Sequence, residues 1–113
     1  MRAIDNFLFF SGATSAGVSK AYANDTCDVC ALQVSGTFTS ATVKVQGKSD
    51  LAHGEYTDLA VIDLSALSVK KAITAAGIYE AGIEGIQSVR VQVVSVSGGD
   101  ITVFGKMTNS TGA

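Results

Sequence analysis

The feature that most constrains this chain is an alternation of apolar and polar residues, carried in short segments rich in Val, Thr and Ile and bounded by Gly, Ser, Asn and Asp. A strand points successive side chains to opposite faces, so each such segment has one face to bury and one to leave in water. Along Ala41-Thr42-Val43-Lys44-Val45-Gln46 the apolar set shares one face and the polar set the other. Val89, Val91 and Val93 alternate with Arg90 and Gln92 in the same way, and then Val94 and Val96 change phase, as a β-bulge near Val93 requires. Cys30, Leu32 and Val34 make a further inward row, as do Ala60, Ile62 and Leu64, and Ile101, Val103 and Met107. The expected core is therefore Leu32, Val43, Val45, Ile62, Val89, Val91, Ile101 and Val103.

Weaker strands over residues 18–22 and 77–81 bring the total to about eight, and the pattern predicts an all-β, jelly-roll-like antiparallel β-sandwich. Residues 65–76 fit a short helical turn through Leu67, Lys70 and Lys71 or a strand around Val69 and Ile73, and the strand is preferred. The domain organisation read from this pattern is an N-terminal arm over 1–15, the sandwich over 16–108 and a flexible C-terminal tail over 109–113. A faint repeat runs through it. Ala16-Gly17-Val18, Leu32-Gln33-Val34 and Thr42-Val43-Lys44-Val45-Gln46-Gly47 return 58 to 60 residues later as Ala76-Gly77-Ile78, Val91-Gln92-Val93 and Ile101-Thr102-Val103-Phe104-Gly105. Shared composition of Gly-bounded, Val-rich strands is the competing explanation.

Several functions are excluded at this stage. At 113 residues the chain fits one domain, and 47% hydrophobic residues speak against disorder. Eight Lys and Arg against ten Asp and Glu leave no basic footprint for nucleic acid or anionic lipid. No apolar stretch approaches the roughly 18 residues of a membrane span. The run Phe7-Leu8-Phe9-Phe10 is shorter than the roughly 7 to 15 residues of a signal-peptide core, so synthesis without secretion is expected. The sequons at Asn24 and Asn109 are read as chance.

Chemistry is thinly provided for. Cys27-Asp28-Val29-Cys30 is a solitary CxxC, whereas a structural zinc site needs a second pair of ligands. On one strand the two thiols would point to opposite faces, about 10 Å apart, which forbids chelation and an unstrained disulfide. Both cysteines are read as structural, Cys30 in the core and Cys27 at the strand entrance; an intermolecular disulfide through Cys27 is the alternative. His53, near Asp50 and Glu55, is the only place for a general base or metal cluster, and a lone loop His is more often simply solvated. No phosphate-binding or nucleophile-elbow motif is present. The expectation is no enzyme, no metal and no cofactor.

Two features point instead to assembly. Both faces of a strand through Phe7, Leu8, Phe9 and Phe10 would be apolar and need cover, and Phe104 faces outward on its strand. These five residues are the candidate contacts with a neighbouring subunit or an underlying shell; an arm folded back as an edge strand of its own sandwich is the alternative for the first four. The stretch Val34-Ser35-Gly36-Thr37-Phe38-Thr39-Ser40-Ala41-Thr42-Val43-Lys44-Val45-Gln46-Gly47-Lys48-Ser49-Asp50 is also informative. With Asp58-Leu59-Ala60-Val61-Ile62-Asp63-Leu64, Ile73-Thr74-Ala75-Ala76-Gly77-Ile78-Tyr79 and Val89-Arg90-Val91, it resembles small β-sandwich virion proteins of tailed bacteriophages, either head-decoration and head-fibre subunits or tail and baseplate modules. The resemblance implies a capsid-surface decoration or head-fibre subunit on the virion surface, synthesised in the host bacterial cytoplasm. Its implied partners are itself, as a homo-oligomer with a trimer favoured, and other virion proteins such as the major capsid protein. The alternative is a carbohydrate-binding adhesion module that would hold a host glycan on Tyr22, Tyr56, Tyr79 or Phe104.

Overall fold

The computed structural model describes residues 4–24, 26–50 and 54–109. Among these the chain forms eleven strands and no helix. They are β1 (Ile4–Ala13), β2 (Gly17–Val18), β3 (Tyr22–Ala23), β4 (Val29–Ser35), β5 (Ser40–Lys48), β6 (Thr57–Leu59), β7 (Val61–Asp63), β8 (Ser68–Lys70), β9 (Gly77–Gly82), β10 (Ser88–Ser97) and β11 (Ile101–Thr108). A six-stranded sheet has the order β1-β11-β4-β9-β7-β8, and a five-stranded sheet the order β2-β10-β5-β6 with β3 also on β10. The pairings are antiparallel, and the inward faces of the two sheets enclose the core of an all-β sandwich.

The excess over eight strands comes from interruptions. β2 and β3 run along the same side of β10 as one broken edge, and Ala60 divides a continuous apolar stretch into β6 in one sheet and β7 in the other. Residues 65–76 hold the short strand β8 and then Ile73, whose N–H and C=O both bond Val43 at 2.8 Å, so the segment crosses from one sheet to the other. The bulge expected near Val93 is present: Val93 faces Val43 and Ser95 faces Thr42, leaving Val94 as the extra residue.

The sequence repeat has a structural counterpart. Replacing β2, β10, β5 and β6 by β9, β4, β11 and β1 turns the order of the smaller sheet into that of four of the six strands of the larger, with β7 and β8 left over. Gly47 and Gly105, which correspond in the repeat, both lie under a core side chain: a Cβ would stand 2.6 Å from Ile86 at Gly47 and 2.8 Å from Phe9 at Gly105.

Seven of the eight expected core residues are buried, and Ile62 is not. On β7 it is Val61 and Asp63 that face inward, opposite in phase to the Ala60, Ile62, Leu64 row. Alternation alone places an aspartate outward. Here the Asp63 carboxylate is occupied locally, accepting from the Ser65 N–H at 3.0 Å and its hydroxyl at 2.7 Å, while its C=O accepts from Leu67 N–H. That turn fixes the phase of the strand, and Ile62 is left on the outside.

The N-terminal segment is likewise part of the sandwich and not a separate arm, since β1 pairs with β11 along its length. Leu8 faces Phe104 and Phe10 faces Val103, so Phe9 is an extra residue on β1. A bulge resets the alternation, and it turns three of the four apolar side chains inward. Phe9 is buried, Phe7 and Phe10 pack against the core, and Leu8 alone is exposed. Tyr22 from β3 closes over them, its ring 4.4 Å from Phe7 and edge-on to Phe9 at 5.3 Å, its hydroxyl donating to the Leu8 C=O at 2.9 Å. Of the predicted tail, residues 110–113 lie outside the described residues.

A candidate assembly surface on the six-stranded sheet

Register decides what the outer face of the larger sheet presents. Leu8, Phe104, Gln33 and Ile78 are directly opposite one another across β1, β11, β4 and β9, and the Leu64 N–H bonds the Ile78 C=O to extend the row. The next row runs Lys106, Ala31, Glu80, Ile62 and Val69 across β11, β4, β9, β7 and β8. Leu8, Ile62, Leu64, Val69, Ile78 and Phe104 are 40% to 72% exposed, and all but Val69 have a buried neighbour in sequence. The β7–β8 hairpin adds Leu67 at its tip, with a left-handed φ of 52°. Between Phe104 and Ile78 the small Ala31 and Gly105 leave a depression of about 330 Å³ that Gln33 also lines. Exposed apolar side chains grouped on one sheet face are the feature that an assembly surface would present.

Of the five predicted contact residues, the structure thus brings Leu8 and Phe104 together on this face and commits Phe7, Phe9 and Phe10 to the chain's own core. Sequence reasoning missed Ile62, Leu64, Val69 and Ile78. The first two were assigned inward by phase, and the others belong to the face only through register across β7, β8 and β9.

The outer face of the smaller sheet is different in kind. Arg90 Nε donates to Gln46 Oε1 at 2.9 Å, and Gln46 Nε2 donates to Asp58 Oδ1 at 2.8 Å and to Gln92 Oε1 at 3.2 Å. Lys44 Nζ completes the chain 3.1 Å from Asp58 Oδ2. The hydrogen bond from Gln46, followed by that from Lys44, holds the Asp58 carboxyl below its usual range. The Arg90 guanidinium lies 3.9 Å over the Tyr56 ring, whose hydroxyl meets Ser88 Oγ at 2.6 Å. These groups are matched to each other.

The four aromatic platforms weighed for a glycan are accordingly taken up, save one. Tyr22 is stacked on Phe7 and Phe9, Tyr56 lies under Arg90, and Tyr79 is buried with its hydroxyl on the Ala75 C=O; only Phe104 is open.

At one end of the sandwich Asn24 ties the loops together. Its Nδ2 donates to the C=O groups of Cys27, Ile83 and Ile86 at 2.9, 3.2 and 2.8 Å, and its Oδ1 accepts from Cys27 N–H at 3.0 Å. An amide nitrogen so occupied and buried cannot carry a glycan in the folded protein. Cys27 lies in this loop ahead of β4, so it never enters the strand alternation; it and Cys30 are both buried, which closes Cys27 to an intermolecular disulfide. Burial, and then the neighbouring Cys27, push the Cys30 thiol up to about 12. Among the described residues no three His, Cys, Asp or Glu side chains converge as metal ligands; His53 lies outside the described residues.

A family model, XepA, matches residues 3–107, nearly the whole sandwich. The chain belongs to the XepA family. Two solved structures share its fold. The SPBc2 prophage-derived protein YomS is 25% identical, with 96% of each chain covered and a TM-score of 0.86. The PBSX exported protein XepA is 22% identical with a TM-score of 0.89, over 96% of this chain and 38% of that one. This chain therefore spans about two fifths of the length of XepA. No curated protein sequence matches it. The resemblance to small β-sandwich phage proteins stands at this level: a XepA-family sandwich that shares its fold with a prophage-derived protein.

Proposed function

We propose that this chain is a non-enzymatic structural subunit of a phage, mounted on the capsid surface and working through protein–protein assembly. The observation that carries the reading is the exposed apolar face built from Leu8, Phe104, Ile78 and Ile62 on an otherwise satisfied sandwich. Among the described residues no buried side-chain polar atom lacks a hydrogen-bond partner, so the molecule's unmet demand is apolar cover and not a ligand for a polar site. The prophage origin of YomS supports the phage setting.

The test is location. Particles purified by density gradient from an induced host should carry the protein in fixed ratio to the major capsid protein, by mass spectrometry, and immunogold should decorate heads. Recovery in the medium outside the particle fraction, as the exported XepA would behave, would reject the capsid assignment. Labelling confined to tail tips would reject it too.

A further inference from the structure

We infer that the outer face of the smaller sheet docks an extended acidic segment of a partner protein, one that carries carboxylates at alternate positions. This contact is separate from the apolar face and does not depend on the capsid assignment. Across β5 and β10 the outward side chains form three rows: Lys44 beside Gln92, Gln46 beside Arg90, and Lys48 beside Ser88. Each row contributes one cation, and successive rows are two residues apart along the strand, about 6.7 Å. Lys71 borders the same depression as Lys44 and Asp58. Four of the chain's eight Lys and Arg thus gather on this face, and Asp58, opposite Gln46, is the sole acid in its rows among the described residues. The overall excess of acids conceals this patch.

Much of the charge is unspent within the chain. Arg90 uses Nε on Gln46, and among the described residues no hydrogen bond or ion pair engages its two terminal nitrogens. Stacking on Tyr56 at 3.9 Å holds the guanidinium plane in place and leaves those nitrogens for a bidentate carboxylate. Lys48 Nζ lies 5.0 Å from the same ring and enters no ion pair with a described residue. Lys44 is paired with Asp58, but at 34% and 43% exposure that pair is a surface one, worth little, and the ammonium keeps further N–H groups. These donors are exposed and not buried, so they form a surface contact and not a closed ligand site.

Spacing selects the occupant. An extended chain places side chains i, i+2 and i+4 on one face at the same period of about 6.7 Å. Laid along β5 with Asp or Glu at those positions, it meets Lys44, Arg90 and Lys48 in turn. Gln92, whose amide oxygen accepts from Gln46, keeps its N–H groups for the segment's carbonyls. A neutral sugar finds no open ring here, because Tyr56 lies under Arg90. A nucleic acid strand is disfavoured by the rest of the chain, where acids outnumber bases nine to four. Nor does the segment come from another copy, since no two of the ten Asp and Glu stand two residues apart.

The test uses the purified full chain with no particle present, so failure of the capsid assignment leaves it untouched. Fluorescence anisotropy should show saturable binding of a dye-labelled peptide in which four Glu alternate with Thr, weakening as salt is raised. A peptide of the same composition with its Glu in one block should bind about five-fold more weakly or worse. Arg90→Ala should weaken binding of the alternating peptide by about ten-fold and Lys48→Ala by about three-fold, with Arg90→Lys between the parent and Arg90→Ala. Lys106→Ala, on the other sheet, should leave it unchanged. Circular dichroism checks the fold of each variant. Absence of saturable binding at about 50 mM salt, equal binding of the block peptide, equally tight binding of a polyphosphate of the same charge, or Arg90→Ala and Lys48→Ala that bind like the parent would overturn the inference.

Discussion

Replacing Asn24 by Ala is the sharpest probe of what holds the sandwich closed, because one side chain there joins three loops. The amide donates to the carbonyls of Cys27, Ile83 and Ile86 and accepts from the Cys27 N–H. The Ile83 carbonyl keeps the Ile86 N–H as a donor at 2.9 Å, and the Ile86 carbonyl is partly within reach of water, so little is lost at either. The cost falls on the two buried Cys27 groups. At about 1–3 kcal/mol for each buried group that loses its hydrogen bond to Asn24, and with a water able to return part of it, Asn24→Ala should lose about 2–5 kcal/mol. For a domain whose whole stability is about 5–15 kcal/mol the variant still folds, and its urea midpoint should fall with an unchanged slope. Asn24→Asp keeps the acceptor for Cys27 N–H but turns a carboxylate oxygen on three carbonyls. Its deficit should equal or exceed that of Ala at pH 7 and shrink as acid protonates the group. An Asn24→Ala midpoint within error of the parent would refute the reasoning.

Other expectations follow from the same geometry. Val61→Lys should cost about 3 kcal/mol or more, and Ile62→Lys, on the outer face opposite Glu80, about 0.5 kcal/mol or less; thermal melts of the two neighbours decide which face is the core. Gly105→Ala should destabilise by about 1–3 kcal/mol, because its methyl meets the Phe9 ring, and combined with Phe9→Leu the losses should be less than additive in urea unfolding. Asp58 and Asp63 are lowered, the first by Gln46 and then Lys44, the second chiefly by the Ser65 hydroxyl, so the unfolded chain takes up protons before the folded one. Their contribution should be whole above about pH 5 and drain away below about pH 4, read as a falling urea midpoint that Asp58→Asn flattens. The Cys30 thiol is raised from 9.0 to about 12, so its contribution is complete below about pH 9 and is lost as pH climbs beyond, a decline that Cys30→Ala should reduce.

The strands of the central core were legible because Val and Leu at every second position leave a strand only one inward face. The bulge at Val94 was legible for the same reason, as a change of phase inside one segment. Phe9 hid a bulge of the other kind. An all-apolar run carries no phase to break, so four aromatic and aliphatic residues read as two apolar faces when the extra residue was in fact folding three of them onto one. β7 failed through Asp63, whose inward position is set by a hydrogen-bonded turn beyond the strand. The candidate surface was half visible. Leu8 and Phe104 stood out singly, but the face exists only when β9 and β7 are laid beside β4, and no local pattern fixes which strands become neighbours.

One pairing in this fold bears on how the protein comes into being. The first strand, β1, has the last, β11, as its only neighbour in the sheet. Roughly 90 residues of synthesis separate Ala13 from Ile101, which at about 5 to 20 residues per second leaves Phe7 to Phe10 without their strand partner for about 5 to 18 s. The sheet closes only once β11 has been made. A chain that stops short of Ile101 therefore loses two strands and the seating of Phe9, so a truncated product has no route to the finished sandwich.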